Sequence, residues 1–278
     1  MRIADSLRQE CMPDMVYSIC KLAQEELSKR EMQEAITLGD ERDGTKSQFN
    51  TVFNFCVACE FIKEDINGII VTVFNHAQLI DFRHYSYAVF SRVFQENNTF
   101  SHLAKWYLSQ NVSNNPLKGE SILNIRTESE FRSFLPKHIQ IDENYFNGFR
   151  FWMTALGLTA FYSPGSSMSG VPFLFATHKA IRNWIEFAEP FQAGSYIPAE
   201  RFFTKMAEDC PAFVDCIDFD HNRVSSSVSS GLRVLEHSNL ISLERIADAG
   251  NLWHLTESIY FSISNEISDI VIKEIRNA

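Results

Sequence analysis

One pattern recurs three times along the chain and constrains its fold more than any other feature: an amphipathic helix, a short strand, a polar turn and a second strand. The first copy runs from Gln48 to Lys63, turns at Glu64-Asp65-Ile66-Asn67-Gly68 and returns through Ile69 to Val73. The second runs from Asn144 to Leu158, crosses Thr159 to Tyr162, turns between Ser163 and Gly170 and returns from Val171 to Phe175. The third runs from Ser225 to Ser238, crosses Leu240 to Leu243, turns near Asp248-Ala249-Gly250-Asn251 and returns from Leu252 to Leu255. Apolar residues at helical spacing followed by short runs around turn residues predict a mainly α fold with small β-hairpins, an α+β class.

The helices that precede each hairpin divide the 278 residues into modules at 1–75, 76–178 and 179–278. In the first, Met15, Val16, Ile19, Cys20, Leu22 and Ala23 share a helical face. Ser28 with Glu31 makes a capping box that opens a second helix over Lys29 to Leu38. Thr45 or Ser47 caps the third, whose Phe49, Val52, Phe53, Cys56 and Val57, with the following Phe61, pack on the first two. The central module has helices from about Asp81 to Gln95 and Phe100 to Ser109, then a polar loop at Asn111–Gly119 and a strand at Ser121–Ile125. A helix opened by Thr127 follows, and Asp142 caps the long helix before the second hairpin. The third module has helices beginning near Thr177, at Pro198 and after Asp220-His221-Asn222. It ends in a helix from Thr256 to Asn277 that packs back on its own domain or closes a homodimer.

The order helix, helix, helix, hairpin resembles the winged-helix superfamily, and the resemblance implies tandem winged-helix domains. The whole length and module order also look like the accessory proteins of bacterial DNA-modification and phage-defence clusters, such as the DpdG-type proteins of deazaguanine systems. In a winged helix the helix before the hairpin is the potential reader of nucleic acid.

Charge narrows where such reading takes place. The net charge is −10, and the three modules carry −5, +1 and −6. Strong nonspecific binding, which draws on neutralised phosphates, is disfavoured, so a DNA-facing surface must be local. Exposed Arg, Lys, Asn, Gln or Ser opposite an apolar stripe is what base and phosphate contact requires. Lys46, Gln48 and Asn50 meet that description in the first module, and Arg223, Ser225, Ser226, Ser229 and Arg233 in the third. The third set has almost no acids nearby and is the best reader in the sequence.

Chemical signatures are missing: there is no phosphate-binding Gly-rich loop with Lys-Ser/Thr, no His-Glu-x-x-His and no Gly-x-Gly-x-x-Gly. Asp215, Asp218, Asp220 and His221 form the densest group of potential metal ligands, but acids before the third helix are read as helix-capping. The six cysteines, including Cys56-x-x-Cys59, read as buried thiols, since no second pair follows at zinc-ribbon spacing. No metal and no cofactor are expected. The N-terminal ten residues carry acids and lack an apolar core, and no stretch approaches a membrane span, so the expectation is a cytoplasmic protein without membrane contact.

These readings point to a noncatalytic DNA-associated adaptor that positions a protein partner such as an ATPase, helicase or nuclease. The alternative is a protein-only interaction scaffold without DNA affinity.

Overall fold

The computed structural model describes residue 3 and residues 7–40, 42–95, 98–109, 129, 131–132, 141–161, 173–246, 250–256 and 265–273. The expected loop at 111–119, strand at 121–125 and second turn at 163–170 lie outside these residues, as does most of the helix expected from Thr127. The fold is mainly helical with small, chiefly antiparallel sheets, the α+β class expected from the repeated helix and hairpin. The chain divides into two compact units, one of Met1–Ser101 with Glu128–Leu156, the other of His102–Thr127 with Gly157–Ala278. Among the described residues no helix is long and apolar enough to cross a membrane.

In the first unit, helix α1 (Pro13–Leu22) starts on a proline, whose missing N–H costs nothing at a helix start. It buries Val16, Ile19 and Cys20. Ser28 closes the expected capping box on α2 (Lys29–Thr37): its N–H donates to Glu31 Oε2 at 2.8 Å, and its Oγ accepts from Glu31 N–H at 3.3 Å. The third helix, α3 (Asp43–Ala58), begins earlier than Thr45 or Ser47. Asp40 organises that start, accepting from the Arg42 N–H at 3.0 Å and from Thr45 Oγ1 at 3.0 Å. The hairpin pairs β1 (Ile62–Glu64) with β2 (Ile70–Thr72), placing Ile62 opposite Thr72. A bridge between Ser28 and Ile69 adds the segment before α2 to the return strand.

Aromatic side chains fill this unit. Trp152 on α6 (Glu143–Ala155) donates its indole N–H to the Cys11 carbonyl at 2.9 Å and packs its ring on Phe55 and Phe61, at 5.8 and 6.0 Å. Phe55 is therefore buried, whereas Val57, expected in the core, is 46% exposed. The α3 core face is turned toward Phe55 because Trp152, distant in sequence, needs a partner there. Asp142 caps α6 as expected, accepting from the Tyr145 N–H at 2.7 Å. Phe94, Phe100, Phe149, Phe131 and Phe146 continue ring to ring at 5.3–5.9 Å. Helices α4 (Phe82–Val93) and α5 (Thr99–Leu108) follow the first hairpin in sequence.

The second unit contains the hairpin of β3 (Thr159–Phe161) and β4 (Phe173–Phe175), with Thr159 opposite Phe175. Helices α7 (His178–Ala188), α8 (Ala199–Asp209) and α9 (Ser226–His237) follow. Strand β5 (Tyr196–Pro198) runs directly into α8. A second, four-stranded sheet uses β6 (Ile217–Asp218), β7 (Arg223–Val224), β9 (Trp253–His254) and β10 (Glu266–Ile267).

The C-terminal part departs from the sequence pattern in two places. The strand after α9, β8 (Ile241–Glu244), does not pair with Leu252–Leu255; its partner is β11 (Asp269–Ile272), with Leu243 opposite Ile270 and Ile241 opposite Ile272. The expected terminal helix over Thr256–Asn277 is therefore interrupted by strands at Glu266–Ile267 and Asp269–Ile272. The spacing of Ile267, Ile270 and Val271 fits a helix, but the β-branched run Ile270-Val271-Ile272 also fits a strand that buries alternate residues. Ile270 and Ile272 are the buried pair. β11 sits between β5 and β8, so the central strand of this sheet comes from near the C-terminus.

Candidate nucleic-acid interface

The third-module reader residues divide sharply on inspection. Ser225, Ser229 and Arg233 are buried, at 0–1% exposure, and face the interior of the second unit. The correction has a clear cause, because these polar groups satisfy one another and nearby backbone. Ser225 caps α9, its Oγ accepting from the Val228 N–H, and exchanges a hydrogen bond with Ser227 Oγ at 2.8 Å. Ser227 Oγ, in turn, is 2.7 Å from the Leu108 carbonyl, which accepts its proton when Ser225 supplies the other bond. The Ser227 carbonyl accepts from Thr177 Oγ1 at 2.6 Å. Ser229 Oγ accepts from the Thr256 N–H at 2.9 Å.

Arg233 holds both ends of one segment. Its Nη1 donates to the Thr256 carbonyl and its Nη2 donates to Asn265 Oδ1 at 2.7 Å. Burial pushes the guanidinium below its ordinary range, opposed by the nearby Glu236 carboxylate. Gly231 belongs to the same packing: a Cβ there would lie 2.3 Å from Thr177 Oγ1 and 3.0 Å from the His178 nitrogen. Only a helix without a side chain at that point approaches α7 so closely. Small residues that looked like a polar reading surface are the means of tight helix packing.

Arg223 has a different position. It is exposed, on β7 before the helix, while Ser226 is half-buried. Strand pairing sets Asp218 opposite Arg223, Arg223 opposite His254 and His254 opposite Glu266. Opposite residues share a sheet face, so these four side chains form one row. Their neighbours Ile217, Val224, Trp253 and Ile267 are buried and form the inner face. The acids of the outer row have partners: Asp218 Oδ2 lies 2.9 Å from His221 Nδ1, and Glu266 Oε2 lies 3.0 Å from Arg245. His254 Nδ1 is 4.0 Å from Glu266. This row escaped sequence reading because each strand contributes only two residues, too few for a visible alternation.

The metal-ligand candidates resolve into this same region. Asp218 belongs to β6, and Asp220 and His221 to the turn before β7, so Ser225 rather than these acids caps α9. Among the described residues no group of three or more His, Cys, Asp or Glu side chains is placed to hold a metal ion.

In the first module, Gln48 is exposed, and Lys46 and Asn50 are half-buried. Asn50 Nδ2 donates to the Lys46 carbonyl at 3.0 Å, and Gln48 Nε2 is 3.7 Å from Met15 Sδ. Acids flank the helix start: Asp43 is exposed, and Asp40 pairs with Arg42 at 2.6 Å. The hairpin turn carries Ile66, fully exposed, and is braced by Asp65, whose carboxylate accepts the Asn67 and Ile69 N–H groups at 2.8 and 2.9 Å. The Arg150 side chain on α6, another residue on a predicted reader helix, is buried at 3% exposure.

A groove of about 490 Å³ on the second unit is lined by Pro190, Phe191, Pro198, Arg201 and Lys205, among others. The Arg201 guanidinium lies 5.9 Å from the Phe191 ring centre, and Lys205 is paired with Asp209 at 2.8 Å. Glu200 and Glu208 also line it, so its charges are mixed and no acid–base or nucleophile pair converges there.

No curated protein and no solved structure matches the chain. One family model does, over residues 10–249, under the description DpdG-like. With most of its length matched, the chain belongs to the DpdG-like family.

Proposed function

We propose that the protein is a noncatalytic accessory component of a bacterial DNA-modification and phage-defence cluster, a DNA-associated adaptor that brings a partner ATPase, helicase or nuclease to DNA. Membership of the DpdG-like family supports the cluster assignment. The observation that carries the adaptor reading is a shared element order. In each unit a segment preceding two helices joins a strand that pairs with the one following them: Ser28 with Ile69 in one, and β5 with β11 beside β8 in the other, where β6, β7, β9 and β10 are inserted as a separate sheet. Strand, helix, helix and hairpin, with the first strand added to the returning one, is the order of a winged helix, and we read both as winged-helix modules.

Fluorescence anisotropy with labelled duplex and single-stranded DNA, at low and physiological salt, tests the DNA half of this reading. Binding that is measurable at low salt and weakens as salt rises is the expected result. No binding at low salt contradicts it and leaves the protein-only scaffold. That second reading is favoured by the first hairpin, where a fully exposed Ile66 follows Glu64 and Asp65, an apolar and acidic tip ill suited to phosphate.

A further inference from the structure

We infer that the outer face of the four-stranded sheet, centred on Arg223, takes the phosphate backbone of DNA; this rests on the DNA-associated reading above and locates its contact. Asp218, Arg223, His254 and Glu266 form one row across that face. Among the described residues Arg223 forms no ion pair, although it stands between strands that carry acids. Those acids are engaged away from it, Asp218 by His221 at 2.9 Å and Glu266 by Arg245 at 3.0 Å. Glu266 is charge-paired by Arg245 and Asp218 is hydrogen-bonded to the His221 imidazole, and the guanidinium is left as an exposed donor on a strand, with its backbone position fixed by neighbours on both sides.

Neutral donors and acceptors lie beside it. Asn222 precedes Arg223, and its Nδ2 donates to Asn251 Oδ1 at 2.6 Å; Asn251 in turn donates to Glu200 Oε2 at 3.0 Å. Arg245, His254 and His221 extend the cationic and imidazole groups across the same region, each substantially exposed. Among the described residues Asp220 and Glu200 are further exposed acids, and they limit the surface to a few phosphates. A guanidinium is suited to that task because its planar fork matches two phosphate oxygens. The contact is weak by design of its charge count: one or two neutralised phosphates give a salt dependence of about one to two in log–log slope.

The test uses the full chain and a short labelled DNA duplex, titrated from low to physiological salt. Arg223→Gln should weaken binding about fivefold to tenfold at low salt and reduce the slope by about one. Glu266→Gln, which frees Arg245 and removes an acid from the row, should tighten binding by about twofold to fivefold. Arg201→Gln, an exposed cation elsewhere on the unit, is the control and should change affinity less than about twofold. Wild-type binding that is unaffected by both row variants overturns this surface and leaves the DNA-associated reading standing. An absence of wild-type binding at low salt overturns both.

Discussion

The Arg233 guanidinium donates to Asn265 Oδ1 at 2.7 Å across 32 residues of sequence, joining α9 to the strands that close the C-terminal sheet. Asn265 also accepts through its backbone carbonyl from the Leu255 N–H at 2.7 Å, so the two ends of the intervening segment meet at one place. Asn265→Ala removes the side-chain acceptor of a buried cation. We expect a loss of about 1–2 kcal/mol in chemical unfolding, with no change in the thermal stability ranking of surface controls such as Arg201→Gln.

Gly231 predicts a steric effect of its own. Gly231→Ala places a methyl 2.3 Å from Thr177 Oγ1 and against the His178 nitrogen, and should cost about 1–3 kcal/mol. Adding Thr177→Ala removes part of the clash but also the donor to the Ser227 carbonyl. The double variant should therefore be less destabilised than the sum of the two single variants, and additivity within about 0.5 kcal/mol contradicts the close approach.

Asp40 gives a pH signature. The Arg42 side chain, helped by its backbone N–H, holds the Asp40 carboxyl down to about 2. A carboxyl lowered in the folded state contributes stability above its unfolded value near about 4 and loses it as pH falls toward the folded value. The difference in unfolding free energy between wild type and Asp40→Asn should be constant at pH 5 and above, then shrink between about pH 4 and pH 2. A difference that grows on acidification contradicts the pairing.

The thiols predict a chemical silence. All six cysteines are buried, and burial raises Cys11 to about 11 and Cys216 to about 12, the latter against opposing hydrogen bonds from Ser225 and Ser227. Thiolate is the reactive form, so the native protein at pH 8 should react with a thiol-exchange reagent only at its unfolding rate. Rapid labelling of native protein would contradict the packing.

Much of the local structure was legible in the residues. The Ser28–Glu31 capping box and the Asp142 cap form where single-turn chemistry places them, because each depends on residues three apart. The first hairpin was equally readable, its turn marked by Asp65, Asn67 and Gly68. What failed depends on partners distant in sequence. Leu252–Leu255 looked like the return strand after α9, but β11 takes that place, and the apolar spacing of Ile267, Ile270 and Val271 does not distinguish a helix from the strand that forms.

The candidate site shows the same division. Polar residues at 225, 229 and 233 have the composition of a reading surface, and nothing nearby in sequence announces that Leu108, Thr177, Thr256 and Asn265 absorb the hydrogen bonds of this helix. Arg223 has the composition of the same helical surface, yet it belongs to a sheet whose strands β9 and β10 lie beyond α9 in the chain. Serine-rich helices are ambiguous for this reason: a hydroxyl binds phosphate on a surface and backbone in a core equally well.

Arg233 is a buried structural donor and Arg223 an exposed one, and thermal unfolding of two single variants separates the two roles. Arg233→Met removes a buried donor to two acceptors and should lower the midpoint by about 5 °C or more, whereas Arg223→Ala should leave it within about 1 °C. Equal, small shifts for both variants would contradict the buried role of Arg233 and return it to the surface.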